Sequence, residues 1–71
     1  MTRYKININF GKKVKKFRKF QNLSQEQMAE QLKVSRNHIG RIERGEVNIN
    51  LVLAQKIGRL LKTQASDLIS F

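Results

Sequence analysis

Two helix-start signals stand close together in the middle of this chain and leave almost no room for anything but two short helices. In the stretch from Leu23 to Glu46, LSQEQMAEQLKVSRNHIGRIERGE, Ser24 followed by Gln27 has the form of a capping box, and Leu23 with Met28 has the spacing of a hydrophobic staple. Met28, Ala29 and Leu32 then fall on one helical face. The β-branched Val34 and a second N-cap, Ser35, end that helix and start the next. The second helix is expected from Arg36 to Arg44. It stops at Gly45, the residue type best suited to the left-handed position past a helix C-terminus.

The faces of that second helix carry the functional information. At about 100° per residue, Ile39, Ile42 and Glu43 point one way, while Asn37, Gly40, Arg41 and Arg44 point the other. A solvated face usually mixes both charge signs, whereas this one presents arginines, an amide and a glycine. Arg and Asn are the side chains that pair bidentately with guanine and adenine edges in the major groove. Taken together, these residues resemble the phage-repressor/Cro-type helix-turn-helix family, also called Xre-like. The resemblance rests on Arg18, Leu23, Ser24, Gln25, Met28, Ala29, Val34, Ser35, Ile39, Ile42, Glu43 and Gly45, and it reaches over nearly the whole chain.

Composition agrees with a polyanion partner. The 71 residues suit one domain, and they carry fifteen Lys and Arg against five Asp and Glu, a net charge of +10. That balance points to nucleic acid, with solubility alone as the plainer explanation. With no Cys and one His, neither a disulfide nor zinc-ligand spacing is expected. No nucleophile triad with its supporting motifs, phosphate-cradling glycine loop or buried acidic pair is evident, so the chain is not expected to be an enzyme or to hold a cofactor, metal or small-molecule ligand. His38 reads as a surface or DNA-proximal side chain, and Glu26 and Glu30 as solvated. No apolar run is long enough for a signal peptide or a membrane span, so a cytoplasmic protein on DNA is expected.

In chain order, residues 1–9 alternate Tyr4, Ile6 and Ile8 with Lys5, Asn7 and Asn9. This period of two allows an extended N-terminal arm or short strand, but a tail that packs Ile8 and frays at its end is the favoured expectation. The domain proper is placed at 10–71. Asn9 would cap a first helix from Phe10 to Gln21, with Phe10, Val14 and Phe17 as its core stripe and Lys12, Lys13, Lys15, Lys16 and Lys19 around the rest. Asn22 stands where the family usually has Gly, and Asn is the next best residue for a left-handed cap. Arg18 lies on the apolar edge of this helix, as Glu43 lies on the apolar face of Ile39 and Ile42. A carboxylate there needs a partner, so an Arg18–Glu43 ion pair is inferred, and the resemblance implies the same pair. Asn50 caps a fourth helix, Leu51 to Lys62, with Leu53, Ile57, Leu60 and Leu61 as its stripe and Ala54 alongside. Ser66 caps a short fifth helix containing Leu68, Ile69 and Phe71. The fold expected is all-α: five short helices in a lambda-repressor-like DNA-binding domain around a central helix-turn-helix.

The resemblance also implies roles. Arg36, Asn37 and Arg41 would contact bases, with Arg36 near enough to the flank to bind phosphate instead. Side-chain chemistry would let Arg41 take a guanine and Asn37 an adenine, but which base each reads does not follow from sequence. Gln25 is similar to the family's phosphate-binding glutamine, although it could be only a residue of the helix start. Ser35, Arg44 and Asn48 are further phosphate candidates. Gly40 departs from the family pattern and reads either as a point of close approach to DNA or as silent drift. Because one helix reads few base pairs, a homodimer on a two-fold operator is expected. Leu68, Ile69 and Phe71, with part of the fourth helix, are its candidate contacts, unless they close the core. Double-stranded DNA is then the partner, and a sequence-specific transcriptional regulator, most simply a repressor, is the function. An antitoxin or adaptor module binding a protein through the same fold, and a non-specific basic DNA coater, are the alternatives.

Overall fold

The computed structural model describes residues 5–69. Among them every regular element is a helix: α1 Lys5–Phe20, α2 Gln25–Leu32, α3 Arg36–Glu43, α4 Leu51–Leu60 and α5 Ala65–Ile69. α1 packs on α3 and α5, α2 on α3 and α4, and α4 on α5. The shared core is Phe10 and Val14 of α1, Met28 and Ala29 of α2, Ile39 and Ile42 of α3, and Ala54 and Ile57 of α4, closed by Leu61 and Leu68. Phe17, Leu32, Leu53 and Leu60 border it, half-buried.

The helix starts follow their caps. Ser24 Oγ accepts from the Gln27 backbone N–H while the Gln27 side chain accepts from the Ser24 N–H, which completes the capping box. Ser35 and Asn50 cap α3 and α4 through side-chain oxygens that accept from the backbone of His38 and Leu53.

The helix ends follow one repeated device. After α1, Asn22 adopts φ 59°, its N–H bonds to the Lys19 carbonyl, and the next N–H, of Leu23, reaches back to Arg18. This is a Schellman motif. The same two bonds recur around Lys33 after α2, Gly45 after α3 and Lys62 after α4, all with φ between 58° and 77°. Asn22 and Gly45 are legible as caps from residue type alone. Lys33 and Lys62 are not, because a lysine at positive φ is held there by the two bonds and by the packing of the next helix, against its own preference.

The N-terminal expectation needs correction. Residues 5–9 are not an extended arm but the opening of α1, and Asn9 lies inside the helix rather than at its cap. The reason is Asn7. The buried stripe of α1 is Asn7, Phe10, Gly11, Val14 and Arg18, which is helical spacing. Its first member is polar, so hydropathy conceals it. Asn7 is 5% exposed. Its amide nitrogen donates to Asn48 Oδ1 at 2.9 Å and its oxygen accepts from the Ile49 N–H at 3.1 Å. One side chain therefore fastens the loop between α3 and α4 to the first helix. The other helix bounds shift slightly: α1 ends at Phe20 rather than Gln21, α3 ends at Glu43 with Arg44 as its C-cap, α4 ends at Leu60 rather than Lys62, and Ser66 lies within α5 rather than capping it.

Candidate nucleic-acid interface

α3 is held from behind by a buried polar cluster. Arg18 Nε donates to Glu43 Oε2 at 2.6 Å and its Nη2 to Oε1 at 3.2 Å, while Nη1 reaches the Leu23 carbonyl at 2.7 Å. The paired side chains are 8% and 3% exposed. The inferred ion pair is therefore present, and it joins α1 to α3. Glu43 Oε1 also accepts from Gln25 Nε2 at 3.0 Å, which brings the start of α2 into the same cluster. Among the described residues, no buried side-chain nitrogen or oxygen lacks a hydrogen-bond partner. That satisfaction is what makes a buried charge pair tolerable.

The opposite side of α3 faces solvent. Arg36, Asn37, Arg41 and Arg44 are all exposed, as the helix periodicity requires once Ile39, Ile42 and Glu43 are committed to the interior. Ser35, at the N-terminus of α3, is exposed with its Oγ engaged in capping. Gln25 is half-buried. One of its two amide hydrogens goes to Glu43, which leaves a second donor, beside the backbone N–H groups of the α2 N-terminus, for an anion. Asn48 is exposed, but its oxygen is taken by Asn7, so its amide donors are what it can offer a phosphate. Gly40 is buried rather than open to a groove. A Cβ there would lie 3.0 Å from Arg44 Nη1 and 4.0 Å from Gln25 Nε2, so the arginine side chain covers it.

Two features were invisible to sequence reasoning. One is Gly11, where α1 crosses α3 with backbone nearly in contact: a Cβ would sit 2.7 Å from the Glu43 carbonyl oxygen and closer still to that of Ile42. The other is Glu46. Its carboxylate lies 2.9 Å from Arg44 Nε and 3.8 Å from Arg41 Nε. That contact holds the exposed Arg44 guanidinium above its ordinary pKa, first through the hydrogen bond and then through the charge.

The candidate dimer contacts fare differently. Leu68 is fully buried within one copy and closes the core, so it cannot contact a second copy. Phe71 and the side chain of Ile69 lie outside the described residues. The large apolar side chains that do face solvent include Leu51 and Val52, neighbours at the start of α4 and 64% and 61% exposed. Among the described residues no helix is long and apolar enough to cross a membrane, and no group of three or more His, Cys, Asp or Glu could hold a metal ion.

Comparison with known proteins gives a consistent result. Residues 14–68 match the helix-turn-helix family. The control protein C.MunI of a Mycoplasma species is 42% identical over 66 residues, covering 92% of this chain and 89% of that protein. The control protein C.BamHI of Bacillus amyloliquefaciens is 39% identical over 67 residues, covering 93% and 83%. The crystal structure of the restriction-modification controller protein C.AhdI from Aeromonas hydrophila superposes with a TM-score of 0.82 at 31% identity, over 92% of this chain and 98% of that one.

Proposed function

This chain belongs to the helix-turn-helix family, and on that premise we infer that it is a sequence-specific regulator of transcription that binds double-stranded DNA, of the controller type that its relatives' names describe. The observation that carries the reading is the polarity of α3. One side is locked to α1 and α2 through Glu43, and the other presents Arg36, Asn37 and Arg41 to solvent. A helix fixed in this way can enter a major groove without reorganising.

Arg41 then takes a guanine edge and Asn37 an adenine edge. Arg36 contacts a base or the adjoining phosphate. Gln25, Ser35, Arg44 and Asn48 border this surface and bind phosphates, setting the register without reading sequence. Occupancy of a promoter by such a domain acts most simply as repression. The compartment is the one that holds the DNA, the cytoplasm.

Binding is expected as a homodimer, because a single short helix reads too few base pairs for a specific site. With Leu68 committed to the core, we assign the contact to Leu51 and Val52. Two copies each carrying +10 repel one another, so a patch without charge is where they can meet. Leu51→Glu is expected to leave folding intact, since an acidic residue at a helix start favours the helix. It should shift sedimentation from dimer to monomer and weaken binding to a two-half-site duplex at least about tenfold. An unchanged sedimentation coefficient would remove this pair from the interface. Were the patch to capture a different protein, with little DNA preference, the adaptor reading would replace this one.

The reading itself is tested by selection from a random duplex library, followed by affinity at two salt concentrations on the selected duplex and on a scrambled one. A two-fold motif with a preference of about a thousandfold supports it. Equal, steeply salt-dependent affinity for both leaves only phosphate binding. On the selected duplex, Arg41→Ala is expected to lose about 1–3 kcal/mol of discrimination at one base-pair position and little elsewhere. A uniform loss over all sequences would make Arg41 a phosphate contact instead.

A further inference from the structure

Within a basic surface, a carboxylate set between an arginine of the reading helix, Arg41, and the arginine that caps it, Arg44, is out of keeping. Glu46 is placed there by the backbone. It is the second residue past Arg44, the C-cap of α3, and its N–H bonds to the Arg41 carbonyl at 2.9 Å in the Schellman motif that closes the helix around Gly45. The motif therefore presents the side chain to the last turn of α3. It approaches both arginines at Nε, 3.8 Å from Arg41 and 2.9 Å from Arg44. Neither arginine side chain is buried, at 52% and 57% exposed, while that of Glu46 is 27% exposed. A guanidinium has five N–H donors in a rigid fork. The carboxylate takes the Nε–H of Arg44 in a hydrogen bond and stands 3.8 Å from Nε of Arg41, close enough for charge but too far for a hydrogen bond, so Glu46 does not consume the donors with which Arg41 would address guanine O6 and N7.

We propose that Glu46 is a specificity-determining residue, an internal counterion that lowers the affinity of Arg41 and Arg44 for DNA phosphates while leaving the Arg41 guanidinium its donors for a base edge. This rests on the reading of α3 as the recognition helix. Non-specific affinity comes from phosphates replacing condensed cations around Lys and Arg. An arginine whose charge is already compensated releases less on meeting a phosphate, and the carboxylate that compensates it repels that phosphate. A directional contact to a base edge keeps its geometry with Glu46 in place. The carboxylate thus weakens binding to the wrong sequence more than to the right one, which is a repulsive route to specificity.

The test compares the full chain with Glu46→Gln and with Glu30→Gln, which makes the same charge change from the exposed surface of α2. Affinities are measured on the selected and scrambled duplexes at several salt concentrations, with a thermal melt of each variant to fix the folded fraction. Glu46→Gln is expected to bind the scrambled duplex about tenfold more tightly. Its affinity for the selected duplex should change less than about threefold, and its salt slope on the scrambled duplex should steepen by about one. Glu30→Gln should move both duplexes equally. If Glu46→Gln also moves both duplexes equally, with the slope of Glu30→Gln, Glu46 is an ordinary surface charge and the proposal falls. Glu46→Ser serves as the second variant should the glutamine melt below the assay temperature. A parent protein with no preferred duplex overturns the recognition reading instead. The salt slope then still decides the counterion role: a steeper slope for Glu46→Gln than for Glu30→Gln supports it, and equal slopes overturn it.

Discussion

Glu43→Ala is expected to cost about 3–5 kcal/mol, because it leaves the Arg18 guanidinium buried without its carboxylate. A domain of this size has roughly 4–10 kcal/mol of stability in all, so the variant should be largely unfolded a few degrees above room temperature. The loss exceeds that of a surface pair because both side chains are nearly inaccessible and both carboxylate oxygens are used, Oε2 by Arg18 and Oε1 by Arg18 and Gln25. Glu43→Gln should cost less, since an amide oxygen still accepts one of the Arg18 hydrogen bonds. The double variant Arg18→Met, Glu43→Leu should be more stable than Glu43→Ala, since it removes both charges and fills the space with apolar atoms. Urea denaturation of the four proteins, followed by far-ultraviolet circular dichroism, measures all of this. A cost below about 1 kcal/mol for Glu43→Ala would show that water reaches the pair and that it contributes no more than an exposed one.

That pair was legible in the sequence because a charged residue on an apolar helix face is a contradiction that only a partner resolves. The caps were legible for a similar reason: Ser24, Ser35, Asn50, Asn22 and Gly45 each have a side chain, or lack one, suited to a single backbone position. Where a residue acts against its type, the sequence is silent. Asn7 is polar but buried on the core stripe of α1, so a helical period was read as a strand-like alternation. Lys33 and Lys62 adopt a conformation that lysine disfavours. The sequence leaves Leu68 open between a dimer contact and the core, because a five-residue helix carries too few residues to show which side is inward; the structure buries it. Within the interface, the helix that presents Arg36, Asn37 and Arg41 was readable from periodicity. The Glu46 contact was not, because it depends on how the chain leaves α3 after Gly45, and no spacing rule describes a side chain turned back by a left-handed residue.

Gly11→Ala is the substitution whose sign the sequence would predict wrongly. In the interior of an exposed helix, replacing Gly by Ala stabilises by about 1 kcal/mol through helix propensity alone. At Gly11 the new methyl would lie 2.7 Å from the Glu43 carbonyl oxygen, 2.9 Å from its carbon, and closer still to the Ile42 oxygen. These are backbone atoms of α3 and cannot swing aside as a side chain can. α1 must move bodily away, which loosens the packing of Phe10 and Val14 against Ile39 and Ile42 and stretches the Arg18–Glu43 pair one helical turn or two along. Overpacking of this kind costs about 1–3 kcal/mol, and the rigid obstacle places Gly11→Ala at the upper end even after the propensity gain. The effect should also reach DNA binding at temperatures where the protein remains folded, because displacement of α1 carries with it the contacts that orient α3. Gly40→Ala is the natural control: it meets only the far end of the Arg44 side chain at 3.0 Å, which can rotate away, so its melting temperature should stay near that of the parent or rise. A melting temperature for Gly11→Ala at or above the parent's would mean that α1 and α3 can separate without loss, and the rigid crossing that holds the recognition helix in place would have to be given up.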